Sequence, residues 1–277
     1  MTLATLDQVL RPCLADGTAV VGMVVLGWED AQAYVMAAEA EGRPVILQAG
    51  PGCRAHIPLQ VLGAMFRHLA YGASVPIVAH LDHGESFDVC RAAIDQGFTS
   101  VMYDGSALPF AENVSSTAQI AAMAHAAGVS VEAELGYVGY ASGAASRGTD
   151  PAMVAQFAAE TGVDALAVSV GNIHLMTGPG AEIDIELLHR IGAESPDLPL
   201  VLHGGSGIVP DLRRALARQT TVCKFNVGTE LRQVFGYALR QAVLADPDKF
   251  DRNQILKETV PPLVLAARRV IRGLAGD

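Results

Sequence analysis

The stretch HLDHGES, residues 80–86, places an aspartate between two histidines directly after the apolar run VPIVA, residues 75–79. Imidazole nitrogens are common zinc ligands, and a carboxylate close to a metal-bound substrate can move a proton to or from a hydroxyl. The stretch therefore indicates either a metal site with an acid–base group or polar side chains that only satisfy the backbone at a strand end. The positions of the other histidines help to separate these interpretations.

Three of the eight histidines come just after separate apolar runs that resemble strands, and they are His83, His174 and His203. Three neutral imidazoles that converge from different strands, with one coordination position left open, form a catalytic zinc arrangement. A single histidine at a strand end more often satisfies local backbone groups, but three at the same end of the predicted strands favour a metal. We therefore predict one catalytic Zn²⁺ per subunit, bound by these side chains.

Three carboxylates can reach the same region. Asp82 adjoins His83, so we predict that it transfers a proton at a substrate hydroxyl; the alternative is that it only orients an imidazole. Glu134 and Asp104 lie at the ends of two neighbouring predicted strands. There they can hold a second metal position or orient the metal ligands.

Two glycine-containing turns follow the last two predicted strands, GGSG at residues 204–207 and NVGT at residues 226–229. In barrels of alternating strands and helices this region commonly binds phosphate, because glycine lets backbone N–H groups approach an anion. A GGSG segment alone also suits a tight turn. The two turns together predict an anion site beside the metal.

Eight apolar or β-branched runs alternate with segments of helical periodicity. They are AVVGMVVL (19–26), PVILQA (44–49), VPIVAHL (75–81), TSVMYDG (99–105), VSVEAEL (129–135), ALAVSVG (165–171), PLVLHGG (199–205) and TVCKFNV (221–227). Eight strand–helix units in about 250 residues predict an α/β fold of the (β/α)8 TIM-barrel type, with a doubly wound open sheet as the alternative. Because barrel chemistry occurs at the C-terminal ends of the strands, the residues above are expected to share one face.

The rest of the chain indicates a single domain, residues 1–277, with a helical extension after residue 229. Pro261 and Pro262 are expected to break or kink the last helical part. The irregular segment at residues 136–151 is rich in Gly, Ser and Ala. A loop of this length in a compact domain is usually functional or mobile.

Composition limits the classes of function. The net charge is −10, which argues against non-specific nucleic-acid binding. No apolar run reaches about 18 residues without a charge or a breaker, so we expect no membrane span. The N-terminus lacks a basic segment followed by an apolar one, and the four cysteines are far apart without a CxxC pair. Both features predict a cytoplasmic protein with free thiols.

With these motifs the chain resembles the class II, metal-dependent fructose-bisphosphate and tagatose-bisphosphate aldolases. The motifs HLDHGES, SVMYDGS, SVEAELG, GNIH, LVLHGGSG and KFNVGTEL occur in the family's order, and the resemblance runs from about residue 5 to the C-terminus. It implies a TIM barrel that forms a homodimer or homotetramer and uses Zn²⁺ as a Lewis acid. The implied reaction is reversible aldol cleavage of a ketose phosphate or related keto-sugar through a zinc-stabilised enediolate.

The resemblance also implies roles for individual residues. His83, His174 and His203 would bind zinc, Asp82 would transfer the proton, and Glu134 would belong to an alternative metal site. A monovalent cation often lies near the donor phosphate. The residues assigned to the substrate, its phosphate or their surroundings are Asp104, Gly171, Gly204, Gly205, Ser206, Asn226, Gly228 and Thr229.

Several positions depart from the family pattern. They are Met23-Val24 and Gly27 where asparagines are usual, Gly50 for serine or threonine, Ala55 for lysine, Leu175 for glycine, and Asp246-Pro247-Asp248 for Asp-Pro-Arg. That arginine clamps the second phosphate from a neighbouring subunit, so an aspartate there would replace attraction with repulsion. The loop after the fifth strand also lacks a carboxylate before Asp150, which leaves Tyr137, Tyr140, His56 or water to handle the donor's proton.

The metal-binding residues are thus retained while many substrate contacts have changed. This combination predicts an aldolase whose substrate carries one phosphate or none. One alternative is a different zinc-assisted carbon–carbon bond reaction, such as decarboxylation or fragment transfer on a β-keto compound. A non-catalytic protein that kept its zinc is the third hypothesis, against which the retained Asp82 argues.

Overall fold

The computed structural model describes residues 2–275. The strands are β1 (Leu3–Ala4), β2 (Val20–Val24), β3 (Val45–Ala49), β4 (Ile77–Gly84), β5 (Ser100–Tyr103), β6 (Ser130–Leu135), β7 (Ala165–Val168), β8 (Leu200–Leu202) and β9 (Val222–Val227). The helices are α1 (Leu6–Asp16), α2 (Trp28–Glu41), α3 (Pro51–Arg54), α4 (Leu59–Gly72), α5 (Phe87–Asp95), α6 (Phe110–Ala126), α7 (Val154–Thr161), α8 (Ile185–Glu194), α9 (Pro210–Gln219), α10 (Thr229–Ala245), α11 (Arg252–Lys257) and α12 (Val260–Gly273). Short 3₁₀ turns occur at Pro151–Met153 and Gly205–Gly207.

Strands β2 to β9 form a closed parallel barrel. Each strand pairs with the next along the chain, and β9 pairs back with β2, where Gly22 lies opposite Asn226. Helices alternate with the strands. The predicted (β/α)8 TIM barrel is confirmed, and each of the eight predicted runs overlaps a barrel strand.

The near-continuous apolar character of the strands has a simple cause. Their outer faces pack against the helices in a large core, and their inner faces fill the barrel, so both faces are buried. Leu6, Val9 and Leu10 of α1 join the inner cluster and pack with Ile46 and Val201, which closes the N-terminal end of the barrel. The opposite end is left to polar side chains and loops.

The two ends of the chain differ from what the sequence indicated. The short strand β1 was not predicted, because two residues carry no periodicity; Leu3 pairs in parallel with Ile77 of β4. Pro261 and Pro262 do not break a helix, since they lie in the first turn of α12, where backbone N–H groups have no partner within the helix.

The predicted strand ends also shift. Strand β4 continues to Gly84, so Asp82 and His83 lie inside the strand, whereas β7 and β8 end at Val168 and Leu202. None of the helices within residues 2–275 is long and apolar enough to cross a membrane.

Candidate metal and active site

Three imidazoles meet at the C-terminal end of the barrel. The ring centroids are 5.1 Å apart for His83 and His174, 4.8 Å for His83 and His203, and 5.4 Å for His174 and His203. One nitrogen from each ring lies within 4.8 Å of the other two. The three histidines that the sequence singled out are therefore brought together from β4 and from the loops after β7 and β8.

Unpartnered polar atoms indicate that this cluster fits a cation. Nδ1 of His203 and Oε2 of Glu134 are buried, have no hydrogen-bond partner among the described residues, and lie 3.6 Å apart. Leaving such atoms unpaired in a protein interior costs free energy. Three nitrogen donors with a nearby carboxylate form the donor set that zinc prefers, so the residues present fit the ion.

His83 is held from both sides. Its Nδ1 lies 2.7 Å from Oδ2 of Asp104, and Arg54 donates hydrogen bonds to the carbonyls of Asp82 and His83. The φ angle of His83 is 50°, in the left-handed region that non-glycine residues rarely adopt. The surrounding bonds thus impose a backbone conformation that turns this imidazole toward the other two. Arg54 was not predicted from the sequence.

The long loop after β6 holds His174. The backbone N–H of His174 donates to the carbonyl of Gly139 at 2.8 Å, and the carbonyl of His174 accepts from the backbone N–H of Ala141 at 3.0 Å. The ring of Tyr140 stacks on the His174 ring with centroids 4.8 Å apart. Burial and the neighbouring His203 and His83 lower the pKa of His174 to about 3, which keeps this imidazole neutral at physiological pH.

A second arrangement of ligands shares His83. Donor atoms of His83, Asp104 and Glu134 also lie within 4.8 Å of one another. Oε1 of Glu134 accepts from the backbone N–H of Val138 at 3.0 Å, which leaves Oε2 free to face the cluster. The structure therefore brings together both of the ligand sets considered from the sequence.

Asp82 lies beside the triad and is almost completely buried. Nδ2 of Asn226 donates to its Oδ1 at 3.3 Å. Burial opposes ionisation, but the imidazoles of His83 and His203 outweigh it and hold the pKa of Asp82 well below its usual range. A buried carboxylate that stays ionised next to a cation site is placed to accept a proton.

A buried ion pair lies beneath the triad, and its role was not predicted. Glu132 accepts from Nζ of Lys224 at 2.6 Å and from Nε2 of His203 at 2.9 Å. Nζ of Lys224 also lies 3.5 Å from Nε2 of His80, whose pKa falls to about 3 because of burial and the lysine charge. The one signal in the sequence is a lysine within the apolar run TVCKFNV.

His83 and His174 of the triad line a cavity of roughly 300 Å³ together with Asp82, while His203 is buried behind them. The other lining residues are Val24, Leu26, Gly50, Pro51, Gly52, Cys53, Tyr140, Leu175, Met176, Gly204, Ser206, Asn226, Gly228, Thr229 and Arg232. Five of the predicted substrate-binding residues are in this set.

The other three predicted substrate residues do not line the cavity. Gly171 packs against the backbone, since a Cβ there would lie 2.0 Å from the carbonyl oxygen of Glu182. Gly205 similarly packs against the end of β9, and Asp104 faces His83 and Ser106. Substrate binding by all eight residues stays a prediction.

The two glycine turns lie against each other as expected. The hydroxyl of Ser206 accepts from the backbone N–H groups of Gly228 at 3.3 Å and Glu230 at 3.2 Å. Gly204 has a φ of 66°, and a Cβ there would lie 2.2 Å from the Ile173 carbonyl oxygen. Only glycine permits this close approach, which brings the turn beside the start of α10.

The departures from the family pattern have visible consequences. Leu175 has a φ of 60°, which explains why glycine is usual there, and its side chain remains half exposed at the cavity mouth. Of the groups considered for the donor's proton, Tyr140 lines the cavity, whereas His56 lines a neighbouring one and Tyr137 lines neither.

Comparison with known proteins agrees with the site. The model of the family described as fructose-bisphosphate aldolase class-II matches residues 4–274. A probable fructose-bisphosphate aldolase of Bacillus subtilis is 36% identical over 97% of each chain, and the fructose-bisphosphate aldolase of Geobacillus stearothermophilus is 37% identical over 92% of this chain and 91% of its own. The crystal structure of the YdjI aldolase from Escherichia coli K12 superposes with a TM-score of 0.86 at 30% identity, covering 99% of this chain and 98% of that one.

A family match over almost the whole chain, and relatives well above 30% identity, agree with the retained histidine triad and the barrel. The chain therefore belongs to the class II fructose-bisphosphate aldolase family.

Proposed function

We propose that this chain is a zinc-dependent aldehyde-lyase that reversibly cleaves a ketose phosphate or a related keto-sugar. The observation that carries the proposal is the convergence of donor atoms of His83, His174 and His203 within 4.8 Å, beside a cavity that His83, His174 and Asp82 line. Zinc is the metal that suits three imidazoles with an open position. When bound, the ion supplies a Lewis acid that stabilises negative charge developing on substrate oxygen.

In the cleavage direction Asp82 accepts the proton of the hydroxyl on the carbon that becomes the aldehyde. As that proton leaves, the carbon–carbon bond breaks and its electron pair passes to the donor fragment. Asn226 holds Oδ1 of Asp82, which fixes the carboxylate for this transfer. Condensation is the same step in reverse, with Asp82 returning the proton.

The donor fragment then needs a proton on carbon, and we assign its delivery to Tyr140. Its phenol lies in the cavity and stacks on His174. Burial raises the pKa of Tyr140, with the neighbouring Tyr137 and Asp104 adding to the effect, so the phenol is protonated at neutral pH and can donate. Exchange with solvent restores both side chains after the products leave.

The substrate has one phosphate or none. The turns at Ser206 and Gly228 line the cavity and can hold one anion, with a monovalent cation beside it as in the family. The segment Asp246-Pro247-Asp248 offers no positive charge for a second phosphate. These positions distinguish the chain from enzymes that clamp a bisphosphate at both ends.

We also propose that the chain is a cytoplasmic homodimer or homotetramer. Large apolar side chains are exposed on and after α10, including Tyr237, Leu244 and Phe250. Large exposed apolar groups of this kind favour burial in an interface. Light scattering on the purified protein tests the subunit number, and a monomer would contradict the proposal.

The function is tested by zinc-dependent retro-aldol cleavage across ketose bisphosphates, ketose monophosphates and unphosphorylated keto-sugars. We expect cleavage of a monophosphate or a neutral compound that stops when zinc is chelated. Cleavage of a bisphosphate at the rate of an ordinary family member would contradict the substrate assignment. Cleavage of none, combined with release of carbon dioxide or transfer of a fragment from a β-keto compound, would instead indicate the alternative zinc-assisted reaction.

A further inference from the structure

Arg232, in the first turn of α10, is the one lysine or arginine among the described residues that line the cavity beside His83 and His174. Its Nε is buried and has no hydrogen-bond partner among residues 2–275. A buried guanidinium nitrogen without an acceptor is costly, because the N–H has lost water and gained nothing in return. Nε of Arg232 can therefore donate a hydrogen bond to an acceptor atom of a ligand.

The surrounding acidic groups do not neutralise this cation. The charge of Arg232 interacts electrostatically with the carboxylate of Asp30. In the described part of the chain, however, no ion pair within 4.0 Å joins Arg232 to Asp30. Oδ2 of Asp30 is instead used by the backbone N–H of Leu26 at 2.9 Å. Glu230 is engaged by Arg213 at 2.9 Å. The positive charge of Arg232 is therefore available to a ligand.

The guanidinium of Arg232 lies at the part of the cavity wall that contains Val24 and Gly228, and the absence of a side chain on Gly228 leaves room for it. A Cβ on Gly228 would lie 3.3 Å from Nη2 of Arg232 and 3.0 Å from the side chain of Val24. The same wall is formed by Val24, Leu26 and Gly50, none of which carries charge. Val24 and Gly50 are also positions where the chain departs from the polar residues of the family pattern, so Arg232 is the only positively charged group among the described residues of this lining.

We propose that Arg232 binds an anionic group of the substrate, either a phosphate or a carboxylate, at the wall between β2 and β9. The planar guanidinium can donate two parallel hydrogen bonds to either group. This inference rests on the proposed function and deepens it, since it makes the substrate an anion held by the same chain. It also provides a substitute for the family's clamp from a neighbouring subunit.

The test measures binding of inorganic phosphate and of acetate to the zinc-loaded protein by titration calorimetry. The variants are Arg232→Gln and Arg232→Lys, with Arg240→Gln as the matched control, because Arg240 is exposed on the same helix and does not line the cavity. We expect Arg232→Gln to weaken binding of at least one anion about 10-fold or more, as loss of a charge-assisted pair requires. Arg232→Lys should retain part of the affinity, and Arg240→Gln all of it.

Equal affinity of the parent protein and a folded Arg232→Gln variant, or no binding of either anion, would overturn the proposal. The melting temperature of each variant reports on folding. A preference for phosphate or for acetate identifies the anion. Calorimetry does not depend on turnover, so the two proposals can fail separately. If Arg232→Gln loses anion binding but the parent protein cleaves no sugar, only the proposed function is refuted. If the parent protein cleaves a sugar but Arg232→Gln binds the anions as tightly as the parent, only the role of Arg232 is refuted.

Discussion

Glu132 and Lys224 form an ion pair of 2.6 Å inside the barrel, with neither side chain exposed to solvent. The other carboxylate oxygen of Glu132 lies 2.9 Å from Nε2 of His203. Because an ionised carboxylate can only accept, Nε2 must carry the proton, and Nδ1 of His203 keeps its lone pair for a metal ion. The buried pair thus sets the tautomer of His203, one of the proposed metal ligands.

Replacing Glu132 by Gln should weaken zinc binding about 10- to 100-fold, as loss of a group that orients a metal ligand does. It should also lower the free energy of unfolding by about 3 kcal/mol, because Lys224 becomes a buried charge without a partner. Chelator competition and denaturant unfolding measure the two effects.

The double variant Glu132→Gln/Lys224→Met separates these two effects. Removing both charges should restore most of the stability while zinc binding stays weak. Zinc affinity equal to that of the parent protein in either variant would contradict the orienting role of Glu132.

Replacing His174 by Ala should reduce the zinc content from about one ion per chain to a small fraction, since two imidazoles cannot complete the site. His125→Ala is the control, because His125 is a partly exposed histidine that pairs with Asp164 outside the barrel mouth. Elemental analysis after dialysis gives the metal content. Equal loss of zinc in both variants, or in neither, would be incompatible with the proposed triad.

Replacing Asp82 by Asn should lower kcat/KM about 10²- to 10⁴-fold, which is the usual contribution of a proton-transfer group. The amide can still bond to Asn226, so the fold and the zinc content should not change. Kinetics on the substrate found in the cleavage panel, together with metal analysis, check this. An active Asp82→Asn variant with unchanged kcat would leave Asp82 only an orienting role.

Much of this site could be predicted from the sequence because strand ends in a parallel barrel share one face. His83, His174 and His203 lie far apart in the chain, yet each follows or ends an apolar run, and closure of the barrel brings such positions together. Asp82 and Glu134 were expected at the same end of the barrel for this reason, and both lie beside the three histidines.

The interior pairings could not be predicted in this way. Both faces of a barrel strand are buried, so the sequence does not reveal which residues point inward. Glu132 and Lys224 are separated by 92 residues, and their contact depends on strand register. The left-handed backbone of His83 likewise depends on surrounding bonds rather than on the propensity of the residue.

An ion-pair cluster joins the last helix, α12, to α2, and its contribution to stability depends on pH. Glu41 accepts from Nε of Arg268 and of Arg272, each at 2.6 Å. Hydrogen bonds from Arg272 and then Arg268 lower the pKa of Glu41. Because the pKa is lower in the folded state, the stabilisation is present above about pH 5 and is lost as the pH falls through the folded-state pKa.

Glu41→Gln should therefore lower the melting temperature by about 1–3 °C at pH 7, and the difference should shrink toward zero in acid. Glu194→Gln is the control, because Glu194 is exposed at the end of α8. Melting curves from pH 7 down to the acid limit of reversible unfolding measure the effect. A difference that persists or grows in acid would show that the glutamate acts through packing rather than charge.

Tyr140 provides the most direct test of how the chain manages without the family's loop carboxylate. Tyr140→Phe keeps the ring that stacks on His174 and removes only the hydroxyl, so zinc content should be unchanged while kcat falls about 10²-fold or more. Tyr137→Phe is the matched control, since Tyr137 lies in the same loop but does not line the cavity. Exchange of the donor fragment's C–H hydrogen with deuterated solvent isolates the step. If the exchange rate falls in Tyr140→Phe alone, the phenol transfers the carbon-bound proton; if it is equal in both variants, a water molecule does so.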